Sequence, residues 1–173
     1  FQENAPEYHV MAAGSLLGIT LGKGQSFPVG KVNTMHLYPM DFEEFLMAAG
    51  ETDLCNLLHQ PDWEILKILS SKYIDLLRQY YYVGGMPEVV DNFFQHQNLH
   101  EVRDKQSEIL DAYRRDISKH TTPTESMRIG QVLQSLPSQL AKENKKFIYN
   151  VLKKGARATE YELAIQWLMD AGL

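Results

Sequence analysis

Cys55 and His59 stand four residues apart, and so do His96 and His100, the spacing that places two metal-ligating side chains on one face of a helix. The segment His-Gln-Asn-Leu-His carries Gln97 where a zinc-protease helix carries its catalytic glutamate. Neither pair has a third ligand at matching spacing, so all four read as surface or partly buried polar residues and no metal site is assigned. Asp41, Glu43 and Glu44 crowd the start of a helix, where acids serve as cap and dipole partners rather than as a catalytic carboxylate set. Ser15 follows Gly14, but Gly-Ser-Leu-Leu-Gly lacks the residue that separates glycine from serine in a nucleophile elbow. From Gly24 to Gly30-Lys31 there are five intervening residues, including Pro28, and Val32 follows; a phosphate-cradling loop needs four, then Ser or Thr. No residue is assigned as catalytic.

The strongest electrostatic feature lies near the carboxyl end. Glu125 to Arg157 holds seven Lys/Arg against two acids, a net +5, whereas the whole chain carries −5. Lys145, Lys146, Lys153, Lys154 and Arg157 are its densest part. A basic module in an acidic chain suits an anionic partner, nucleic acid first, or a protein; the alternative is a solvated face with no partner.

The elements that must position these residues follow from periodicity. Residues 8–13 (YHVMAA) form a nearly continuous apolar run closed by Gly14-Ser15, which predicts a strand buried on both faces, with Ser15 at its carboxyl end. Glycines and Pro28 mark a loop over 18–30, and 31–37 (KVNTMHL) alternates as a second strand ended by Pro39. Asp41 with Glu44 three positions on is a capping box, and Met40 can staple onto Phe45. A second helix starts near Asp62, carries Ile65, Leu66, Leu69, Tyr73, Ile74, Leu77 and Tyr80 on one side, and stops at Gly84-Gly85. Pro87 suits the first turn of a third helix, and Val102, Ile109, Leu110, Tyr113 and Ile117 give a fourth. The polar, proline-punctuated 120–124 is a boundary, after which Thr122-Pro123-Thr124-Glu125 restarts a helix. Three short helices follow, over about 125–136, 147–153 and 159–171, with a turn expected at 137–146.

The 173 residues, with 44% apolar and 23% charged, are those of a folded chain rather than a disordered one. One cysteine excludes an internal disulfide. There is no signal-peptide pattern and no apolar run near 18 residues, so the expected compartment is the cytoplasm, without a membrane partner. Phe1 at one end and an apolar helix-like run at the other give both ends the look of cuts.

Four stretches in order, FQENAPEYHVMAAGSLLG, FPVGKVNTMHLYPMDFEEFL, YYVGGMPEVV with ILDAYRRDISKH, and LPSQLAKENKKFIYNVLKKGARATEYELAIQWLMDAGL, resemble a family of prokaryotic AAA+ type P-loop ATPases whose core is followed by a C-terminal domain of unknown function. The resemblance implies a mostly α chain with a small α/β remnant: the end of an ATPase core at 1–38, a helical lid at 39–122, and a truncated three-helix, winged-helix-like domain at 123–173. It implies that Ser15 occupies the place of the γ-phosphate sensor, and that Gly85-Met86-Pro87 is the Gly-x-Pro motif whose proline packs near adenine. The same turn also reads as a plain helix stop and start. Neither the Walker A lysine nor the Walker B acids occur in the chain. ATP and magnesium are therefore cofactors expected of a longer parent, this fragment is expected to bind none and to be inactive alone, and unpaired edges of its sheet remnant are expected to drive self-association.

Overall fold

A computed structural model describes residues 4, 7–14, 33–144 and 146–172. Within them the chain is helical: α1 (Phe42–Ala48), α2 (Thr52–His59), α3 (Trp63–Ile68), α4 (Ser70–Val83), α5 (Pro87–His96), α6 (Leu99–His120), α7 (Pro123–Leu140), a 3-10 turn (Tyr149–Val151) and α8 (Ala158–Asp170). The mostly α expectation holds.

The small α/β remnant finds no strand among the described residues, and residues 8–13 and 33–37 have no regular structure. A strand exists by exchanging hydrogen bonds with a neighbour, and no described segment pairs with either run. Their apolar side chains stay open to solvent, with Met11 99% and Leu37 98% exposed. The self-association expected from sheet edges therefore has no described strand to rest on.

Contacts divide the chain into two units, one of them Met35–Ala112, with the division falling inside α6. In that unit, α1 is the hub, packing on α2, α4 and α5. Asp41 caps it in the expected box: its carboxylate accepts from Glu44 N at 2.9 Å while Asp41 N donates back to Glu44 at 2.9 Å. Phe45 then enters a core with Val83, Val89, Val90, Phe93 and Val102, against which Met40 also packs. The next residue, Leu46, joins Leu54, Cys55 and Leu76 in a second cluster.

The helix expected to begin at Asp62 divides in two. Leu69, at φ −88° and ψ 3°, ends α3 and precedes α4. The turn shifts the buried face, so that Leu76 and Val83 are the fully buried residues of α4, and Ile65 and Ile74 are 45% and 48% exposed. Nothing on α3 is buried. The α5 helix starts at Pro87, which has no N–H to waste in a first turn, and ends at Gln97 in the left-handed region at φ 52°.

The other unit includes 113–172. Ile117, Ile129, Val132, Tyr161, Ala164 and Leu168 make its core, with α7 packed on α8. Thr122 and Glu125 close the expected capping box of α7. The turn expected from Pro137 comes later, because α7 runs on to Leu140. At that position the proline removes one ladder bond near the helix end, and Ala141 N still reaches the Pro137 carbonyl at 3.1 Å. Buried Gln139 fixes the following loop: its amide donates to Ile148 O at 2.9 Å and accepts from Ile148 N at 3.1 Å, as a neighbouring peptide would.

Candidate functional site

The turn between α4 and α5 is the most tightly tied feature around a resemblance-derived residue. Gly84 leaves α4 at φ 78° and ψ −173°, backbone suited to glycine. Gly85 then accepts from Met40 N at 2.7 Å, and Tyr80 Oη donates to Met40 O at 2.9 Å. Both backbone polar groups of Met40 are thus held, one by the turn itself and one by the α4 helix that precedes it. A Cβ on Gly85 would run into the Met40 carbonyl, so the close approach needs glycine there. On the other side, Gln106 Nε2 donates to Tyr82 O at 2.8 Å and Val83 O at 3.0 Å, two carbonyls at the end of α4 that the helix leaves without partners.

Aromatic contacts brace the turn further. Tyr80 lies 5.8 Å from Phe42 and 5.5 Å from Phe45, ring centre to ring centre, and Phe45 lies 5.0 Å from Phe94. The Arg103 guanidinium sits 4.4 Å over the Tyr82 ring. Pro87 and Glu88, by contrast, are exposed. Glu88 pairs with Lys105 at 3.1 Å; hydrogen bonds that the Lys105 ammonium donates to the Glu108 and Glu88 carboxylates hold it above its ordinary range. The arrangement is a rigid turn with an open proline edge, capable of presenting one face to a flat ligand.

The structure ties Gly85 and the end of α4 to Met40, Tyr80 and Gln106, and leaves Pro87 exposed. These three were invisible as site residues in the sequence, because their partners are 23 to 45 positions away and no local pattern announces them. Ser15 lies outside the described residues, as does Lys145. Lys146, Lys153, Lys154 and Arg157 are exposed, and none forms an ion pair with a described residue. They flank the 3-10 turn and the start of α8. Nearby, Gln131, Ser135, Ser138 and Leu152 help line a hollow of about 220 Å³, below the roughly 300 Å³ at which small-molecule pockets begin.

The two metal-spaced pairs part company. His96 and His100 fall on α5 and α6, separated by the left-handed Gln97, and His96 Nδ1 meets Glu101 at 2.8 Å. Cys55 and His59 do share α2, and α1 brings up a third side chain of metal-binding type, Glu43, that spacing did not reveal. His59 Nε2 lies 2.9 Å from Glu43 Oε2, and one donor atom from each of Glu43, Cys55 and His59 lies within 4.8 Å of the others. Burial pushes the Cys55 thiol up, and the charges of Glu43 and Asp41 push it further.

The described residues thus form a helical protein with no helix long and apolar enough to cross a membrane. The chain belongs to a family known as a domain of unknown function, DUF8612, which it matches over residues 74–173. That span holds the glycine-proline turn and the basic segment, and leaves out Glu43, Cys55 and His59. No curated protein and no solved structure matches the chain.

Proposed function

We propose that this chain supplies the lid and a winged-helix-like helical domain of a nucleotide-dependent switch of the AAA+ ATPase type. In this reading ATP and magnesium are held by a core upstream, Ser15 senses the γ-phosphate, and the turn at Gly85-Met86-Pro87 closes on the adenine. One observation carries it: Gly85 is locked to Met40 at the point where the lid begins, while the Pro87 edge is left exposed. A fixed backbone beside an uncovered ring suits such a contact. A lid of this kind acts by moving as a body when nucleotide state changes, and the bonds around Met40, Tyr80 and Gln106 would carry such movement through the first unit.

The test is made on the intact gene product with ATP and magnesium. A nucleotide with a photoreactive base is expected to label 84–90, and Pro87→Ala to weaken nucleotide binding several-fold with the fold intact by circular dichroism. A coding sequence with no glycine-rich lysine loop and no acidic strand end upstream overturns the reading, and so does labelling confined elsewhere.

A second reading, a module that binds nucleic acid or protein, is favoured by the exposed Lys146, Lys153, Lys154 and Arg157, which form no ion pair among the described residues. It is compatible with the first, since such a module is what a switch would act through.

A further inference from the structure

We propose that Glu43, Cys55 and His59 form a binding site for a divalent transition-metal ion of the zinc class. Two helices build it. On α2, Cys55 and His59 are one turn apart and therefore share a face; α1 packs against α2 and brings Glu43 to that face. The donors already lie within 4.8 Å of one another, with imidazole and carboxylate at 2.9 Å. Zinc bonds of about 2.0 Å to nitrogen or oxygen and about 2.3 Å to sulfur put tetrahedral neighbours roughly 3.3–3.6 Å apart, so small side-chain shifts complete the geometry.

The three donors differ in how firmly they are held. Cys55 is buried at 2% exposure beside Leu46, Leu54 and Leu76, and Tyr73 Oη donates to the Leu54 carbonyl at 2.6 Å, tying α2 to α4. The thiol position is therefore set by the core. Glu43 and His59 are partly and largely exposed, at 40% and 62% of their side chains, and can adjust to an incoming ion. That exposure leaves the fourth coordination position to water. One thiolate, one imidazole and one carboxylate make a donor set suited to Zn²⁺ or Co²⁺, and unsuited to Mg²⁺ or Ca²⁺, which take oxygen.

The experiment titrates the full chain, reduced and freed of metal by a chelator, with Co²⁺. One equivalent is expected to bind with a thiolate-to-cobalt charge-transfer band and the visible bands of a tetrahedral ion, and Zn²⁺ is expected to displace it and raise the melting temperature. Cys55→Ser should abolish the charge-transfer band. Because a core substitution can also unfold the chain, the exposed His59→Ala and the isosteric Glu43→Gln provide independent readings, each weakening Co²⁺ on the order of tenfold or more, while His96→Ala leaves it unchanged. Absence of the charge-transfer band in the folded parent chain overturns the proposal. A band that survives both His59→Ala and Glu43→Gln at full affinity does the same, leaving an ion pair beside a buried thiol.

Discussion

Two glycines of this chain are expected to respond in opposite directions to the same added methyl group. At Gly85 a Cβ meets the Met40 carbonyl, and Met40 cannot retreat without breaking its bonds to Gly85 O and Tyr80 Oη. Gly85→Ala is therefore expected to cost about 2–3 kcal/mol, the range for forcing atoms into a packed site. Gly130, within α7, has nothing within 4 Å of its would-be Cβ. There alanine removes unfolded-chain freedom without a clash, and Gly130→Ala is expected to stabilise by up to about 1 kcal/mol. Urea unfolding followed by circular dichroism measures both, and a Gly85→Ala loss below that for an ordinary surface change would mean that the turn is not clamped. Sequence reading identified Gly84-Gly85 as a helix stop but not why the second glycine is required. The reason sits 45 residues upstream, in the carbonyl of Met40. Glu43 was hidden for a similar reason: beside Asp41 and Glu44 it looks like a dipole partner, and its approach to His59 depends on how α1 lies against α2.

Helix ends were the most legible elements. Both capping boxes, Asp41 with Glu44 and Thr122 with Glu125, were readable from three-residue spacing and form as expected, because they depend on local bonds. Thr122→Ala is expected to cost about 1 kcal/mol and Thr122→Ser much less, read as shifts of the thermal unfolding midpoint. The break at Leu69 was illegible, since neither glycine nor proline marks it and Ile65 to Tyr80 keep a helical period across it. The strand expectations find no described strand on the same distinction between local and long-range causes: an apolar run is visible in sequence, whereas the partner that makes it a strand is not. Pro137 misled in the other direction, being a real punctuation mark placed where a helix tolerates it.

At the scale of the whole molecule, charge separates along the chain more sharply than its net −5 suggests. The exposed Lys146, Lys153, Lys154 and Arg157 are expected to give weak duplex-DNA binding at low salt, with log affinity falling against log salt at roughly 0.9 per phosphate neutralised. Fluorescence anisotropy at several salt concentrations measures the slope, which should flatten when the four are changed to Gln. No binding at low salt would make this face a solvated surface or a protein contact. The folding unit, meanwhile, is larger than the stretch shared with the family. Phe45, fully buried among Val83, Val89, Val90, Phe93 and Val102, comes from α1, upstream of residue 74 where the shared stretch begins. That stretch is consequently not self-sufficient as a module. Transplanted alone into another protein it would arrive with a socket where Phe45 belongs.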